Sequence, residues 1–161
     1  MFEHLVDTMQ LWGEIIAEEY KNKLNNEGIT ASGKLANSVK SLFSINGTTY
    51  EVDLSLESYW KQIEDGRKPT HNGGNGELRR NILDWIKVKP VLPRPYDGKL
   101  PTEEQLAYLI SRKIHRDGYD GKQPLKRTIE ENKVDIYKDI EIALSKDLST
   151  DVLNILRTIE Q

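Results

Sequence analysis

Cysteine is absent from the 161 residues. Disulfides, zinc-thiolate centres, iron-sulfur clusters and thiol nucleophiles are therefore excluded. Histidine is scarce: His4, His71 and His115 stand far apart, and none has a second histidine or a carboxylate at a spacing that builds a metal site. No apolar run approaches the roughly 18 to 20 residues that a membrane span requires. The opening MFEHLVDTMQLWGEII carries acids where a secretory signal needs a basic start, and Glu14 follows its apolar stretch in place of a small-residue cleavage site. The expectation is a mature protein made in the cytoplasm, with no membrane partner. A net charge of -3 and a pI near 5.7 argue against bulk attraction to polyphosphate.

What is present is enough chain for one domain with a real core. Hydrophobic residues make up 37% and charged ones 30%, which leaves much charged surface around a modest core, the kind of surface that meets partners.

Phe2, Leu5, Met9, Trp12, Ile16, Tyr20 and Leu24 recur at steps of three and four, predicting a helix over about 3–26 that Gly28 ends as a left-handed cap. Ser32 is placed to cap a short helix through Ser38. In VKSLFSINGTTYEVDLSL, a two-residue turn at Asn46-Gly47 would pair Ile45 with Thr48, Phe43 with Tyr50, Ser41 with Val52 and Val39 with Leu54. Lys40 would then oppose Asp53, and Val39, Phe43, Ile45, Tyr50, Val52 and Leu54 would be buried. Residues 57–64 read as a helix, DGRKPTHNGGNGE as a loop and ELRRNILDWIKVK as a helix. KPVLPRPYDGKLP, with four of the six prolines, reads as a stiff extended strap. Thr102 and Gln105 form a capping box for a helix ending near Gly118, and a last helical segment begins after Pro124, with Ser149 marking a final turn-back or a continuation. The fold class expected is α+β: a helix-dominated single domain over 1–161. A small antiparallel sheet is built on the 39–54 hairpin, and the long N- and C-terminal helices pack on it.

Candidate chemistry is thin. Gly73-Gly74-Asn75-Gly76 invites a phosphate-loop reading, but no strand leads into it and Glu77-Leu78 stands where Lys-Ser/Thr is needed. Glu64 and Asp65 are adjacent on a helix, so they do not converge as an acid-base pair and read as a solvated helix end. His115 sits near a helix C-terminus, where partial positive charge is favourable. Arg79, Arg80, Arg112, Lys113 and Arg116 form helical basic patches diluted by Glu77, Asp84 and Asp117, with few interleaved aromatics for nucleic acid. No catalytic, cofactor-binding or metal residue is assigned.

Three segments, in order, carry a resemblance. SGKLANSVK, with Ser32, Gly33, Leu35 and Ser38, resembles the Thr/Ser-Gly-x-Leu-x-x-Ser-Ile/Val motif of the tail-completion, or head-tail joining, proteins of tailed bacteriophages. YWKQIEDGRKP is similar to that family's Tyr…Val/Ile-Glu-x-Gly motif through Tyr59, Ile63, Glu64 and Gly66. QPLKRTIEE resembles its Pro-Phe-Leu opening of the last helix through Pro124, Leu125, Thr128 and Glu130. An added segment of about 67–118 separates the second motif from the third.

The resemblance implies no enzyme and no cofactor. It implies a virion component of the neck: a homo-oligomeric ring, or connector, joining the portal side of the capsid to the tail. Its partners would be further copies of itself, portal or adaptor proteins and tail proteins, with DNA passing through the lumen without sequence-specific binding. Tyr59 and Ile63 would anchor the short helix and Gly66 its tight exit. Glu64, Asp65, Arg67 and Lys68 would sit where a neighbouring subunit could satisfy them, with Arg67 and Lys68 as candidate subunit contacts. Two other readings remain open. One is a soluble nucleic-acid-binding or regulatory adaptor using Arg79, Arg80, Arg112 and Arg116; the other is a hydrolase using Glu64 or His115, for which no nucleophile-base set can be assembled.

Overall fold

The computed structural model describes residues 2–29, 32–70, 76–89, 91, 93–95 and 98–159. Helix α1 (Glu3–Asn26) buries Leu5, Ile16, Tyr20 and Leu24 of the predicted stripe, together with Gly13 and Ala17. It ends in a Schellman motif: Ile29 N–H donates to the Leu24 carbonyl and Gly28 N–H to that of Asn25. The short α2 (Lys34–Ser38) follows with Gly33 as its left-handed N-cap and no side-chain cap bond. Ser32 therefore lies one residue outside the capping position assigned to it.

β1 (Lys40–Asn46) and β2 (Thr49–Ser55) form the expected antiparallel hairpin, in a different register. Ile45 pairs with Tyr50, Phe43 with Val52 and Ser41 with Leu54, and Leu42 rather than Lys40 opposes Asp53. The two turn residues are Gly47 and Thr48. Gly47 has φ 62 while Thr48 stays out of the positive region, so the turn takes the form that needs glycine at its first position only. The pairing is offset by two residues, an even number, so every side chain keeps its face. Val39 is buried and Phe43, Tyr50, Val52 and Leu54 half-buried, but Ile45 is 44% exposed. Phe2, just before α1, packs edge-on against Tyr50, the residue opposite Ile45.

α3 (Trp60–Asp65) leads into β3 (Gly66–Arg67), which pairs antiparallel with β4 (Tyr119–Asp120). Between them lie α4 (Glu77–Val88) and α5 (Glu103–Asp117), which pack chiefly on each other. The capping box of α5 is present in both directions, between Thr102 and Gln105. The two ends of the added segment are thus held side by side by a two-residue ladder, and the segment leaves the body as a helical arm. His71 to Asn75, which include most of the glycine-rich loop, lie outside the described residues, as do Pro90, Leu92, Tyr96 and Asp97 of the strap.

α6 (Pro124–Ile159) is one continuous helix through Ser149. It runs antiparallel to α1, tied by Arg127–Glu27, Lys23–Glu131, Asn132–Glu19, Trp12–Asp139 and the Asp147 carboxylate, which accepts the N–H groups of His4 and Leu5. The architecture is the expected helix-dominated domain with a small hairpin and packed terminal helices. α1 is its middle layer, flanked by the hairpin and by α6. At 36 residues against 24, α6 is longer by roughly 18 Å. Every residue of 148–159 is exposed beyond the start of α1, including Leu148, Val152, Ile155, Leu156 and Ile159.

Candidate assembly site

Ala17, Tyr20 and Leu24 of α1 meet Leu35, Ala36 and Val39, and Tyr59, Trp60, Ile63 and Leu125 close over them. Each of the three motif segments contributes to this cluster. Ser38 ties the first segment to the chain just before the second: its hydroxyl donates to the Leu35 carbonyl at 2.8 Å and accepts from Glu57 N–H at 3.0 Å.

Glu64 joins the second motif to the third. The α6 N-terminus has no capping side chain of its own, since Gln123 precedes Pro124 with φ 50. Proline suits the first helical position because it lacks one of the otherwise orphaned N–H groups. The remaining donors are met by Glu64, whose carboxylate accepts Leu125 N–H at 2.7 Å and Lys126 N–H at 3.3 Å. A negative charge there also opposes the positive end of the helix dipole. Glu64 is 6% exposed. It is therefore neither the solvated helix end nor the neighbour-facing acid expected from the sequence; its partners are intramolecular. Pro124 and Thr128 are fully buried, and the Thr128 hydroxyl donates to the Pro124 carbonyl.

Tyr20 lies beneath this junction at 0% exposure. Its hydroxyl has no protein hydrogen-bond partner among the described residues. Burial, then the nearby Glu64 charge and Tyr59, push its pKa above the ordinary tyrosine range. Burial likewise raises Tyr59.

The exit from α3 is a backbone crossing. Gly66 has φ 75, and a Cβ there would strike the Tyr119 carbonyl; a Cβ on Gly121 would strike the carbonyl of Glu64. Only glycine satisfies both the conformation and the approach at position 66. Arg67 is half-buried in the ladder opposite Tyr119, whose phenol burial raises while the Arg67 cation lowers it. Lys68 is exposed. Neither cation forms an ion pair among the described residues. Past the ladder, Thr70 bonds His115 twice, N–H to carbonyl at 2.8 Å and hydroxyl to Nδ1 at 2.5 Å. His115 therefore helps fasten the root of the arm.

Of the predicted motif residues, Leu35, Ser38, Tyr59, Ile63, Glu64, Gly66, Pro124 and Leu125 come together here. Ser32 is exposed and stays apart from these contacts. Sequence reasoning missed Asp147 as the cap of α1, Gly121 in the crossing and the pairing of α4 with α5. The first had a partial signal: Phe2, at the N-cap of α1, cannot accept a hydrogen bond through its side chain, so the donors there were left for an acceptor from elsewhere or for water.

Beside the junction, Trp60, Lys61, Asp65, Leu125 and Ile129 line an open groove of about 450 Å³. Among the described residues no cluster of His, Asp or Glu is arranged to hold a metal ion, and no helix is long and apolar enough to cross a membrane. No family model, curated protein or solved structure matches the chain.

Proposed function

We propose that this chain is a structural subunit of the neck of a tailed bacteriophage, assembling as a ring between the portal side of the capsid and the tail and letting DNA pass. The observation that carries this reading is the convergence of the three motif segments. They lie far apart in sequence, yet Leu35, Tyr59, Ile63 and Leu125 share one core and Glu64 joins the second to the third. Segments that resemble successive motifs of one family and also build one junction are consistent with a common fold.

Two surfaces support assembly. The α6 overhang carries Leu148, Val152, Ile155, Leu156 and Ile159 on one side, each more than half exposed, and such a stripe belongs against a partner. The arm is a second projection, with its own exposed Val88, Leu100 and Leu109. In this reading the protein turns over no substrate. Removing its gene from the encoding phage should leave filled heads and separate tails, and adding the purified protein should join them. Infectious, tailed particles in the absence of the gene would refute the proposal.

A further inference from the structure

The charge of the chain is divided between body and arm. Residues 68–118 hold ten Lys and Arg against six Asp and Glu, whereas the rest hold thirteen against twenty, so a basic arm stands on an acidic body. On α5, Leu109, Arg112, Lys113 and Arg116 fall within roughly 100° of the helix circumference, all exposed, with Leu109 at 53%. The opposite side of α5 is turned to α4 through buried Ala107 and Ser111 and half-buried Ile114. Arg116 is bridged by its neighbour Asp117; Arg112 and Lys113 have no ion pair among the described residues.

α1 presents the complement. Glu3, Asp7, Glu14 and Glu18 fall within roughly 60° of its circumference, all exposed, flanked by Leu11 at 56% exposure. This side faces away from the buried residues that meet the hairpin and α6. Glu18 has an exposed ion pair with Lys21 at 3.4 Å; Glu3, Asp7 and Glu14 have none among the described residues. Each stripe sets like charges one turn apart, which weakens rather than stabilises its own helix.

We infer that the Leu109/Arg112/Lys113/Arg116 face of the arm docks on the Glu3/Asp7/Glu14/Glu18 face of a second copy of this chain, with Leu109 packing against Leu11 beside the charges. The pairing is head-to-tail. Basic face on basic face, or acidic on acidic, would set like charges together, so a two-fold dimer through either stripe is disfavoured and the unlike contact is selected. Made once between each pair of copies rather than reciprocally, a contact between two different patches of the same chain propagates from copy to copy, as a closed ring requires. This inference rests on the ring reading and names the contact within it.

The chain has no cysteine, so introduced thiols report one contact cleanly. Leu11→Cys and Leu109→Cys proteins, one of them carrying a size tag, are mixed and oxidised at low salt. The product joining position 11 to position 109 should exceed either like-with-like product severalfold, and it should fall in about 1 M salt, where charges are screened within about 3 Å. Arg112→Glu/Lys113→Glu/Arg116→Glu in one partner, or Glu3→Lys/Asp7→Lys/Glu14→Lys in the other, should abolish it. Combining the two reversals should restore it. Absence of the mixed product, its persistence in a single reversal, or dominance of like-with-like products overturns the docking. So does retention of a DNA duplex that depends on the α5 stripe while no mixed product forms, because the stripe would then serve phosphates. Neck rings lacking the 11-to-109 contact would sink this inference alone; the contact in a protein absent from virions would sink the phage reading alone.

Discussion

Replacing Tyr20 by Phe should stabilise this protein. The ring lies in the core with Leu24, Leu35 and Val39, so its apolar burial is kept. What is lost is a hydroxyl at 0% exposure with no protein partner among the described residues. Burying such a group without a hydrogen bond costs about 1–3 kcal/mol by protein mutational measure. Tyr20→Phe should therefore gain about 1 kcal/mol or more, a rise in melting temperature of about 2–4 °C for a chain of this size. Urea unfolding followed by circular dichroism, with an unchanged m-value, reads the gain. The pH dependence supplies a second test. The folded protein holds the Tyr20 proton above its ordinary value of 10.0, whereas the unfolded chain releases it near that value. The folded state then binds more protons than the unfolded one, so this contribution is present below pH 10 and is lost as pH rises further, at up to about 1.4 kcal/mol per unit. The advantage of Tyr20→Phe should widen above pH 10. A variant less stable than the wild type by 1 kcal/mol or more at neutral pH, with no alkaline divergence, would refute the reasoning, since the hydroxyl would then be well satisfied.

The sequence made the elements legible where the signal was local. The α1 stripe, the hairpin faces, the Thr102–Gln105 box and the proline that opens α6 are each set by residues within a turn or two of one another. Register was not legible, because turns at Asn46-Gly47 and at Gly47-Thr48 place the same side chains on the same faces and differ only in which pairs are opposite. The exposure of Ile45 was not legible either, because alternation gives the face a residue takes and not how far the covering helix reaches along it. Glu64 was misread for a related reason: near a helix end it looks solvated, and its role appears only when a helix sixty residues later brings uncapped N–H groups to it. The order of the motif segments carried a resemblance, but neither their convergence nor their bonding followed from it. The division of charge was countable in the sequence, yet the stripes needed α4 and α5 to be folded together before their outer faces were defined.

Three further outcomes follow from the junction and the arm. Gly121→Ala and Gly66→Ala force a Cβ into opposing backbone and should each cost several kcal/mol or prevent folding, whereas Gly47→Ala, with open space around it, should cost only about 1–2 kcal/mol for its left-handed conformation; thermal melts of the three would separate steric from conformational strain. Glu64→Ala should cost about 1.5–3 kcal/mol through lost charge-assisted bonds to Leu125 and Lys126, with Glu64→Gln recovering part of it, as read by urea denaturation. Replacing residues 68–118 with a short turn between Arg67 and Tyr119 should leave the body cooperatively folded in a thermal scan, because β3 and β4 already hold those ends together; loss of the cooperative transition would make the arm part of the core.

The most direct test of the central claim is cryo-electron microscopy of the tailed virions to which the proposal assigns this chain, with the neck reconstructed at side-chain resolution. The account predicts a closed ring of this chain at the head-tail junction, coaxial with the DNA path, with each Glu64 capping its own α6. A neck complete without the chain, or a chain found only as a monomer on a regulatory DNA site, would contradict it.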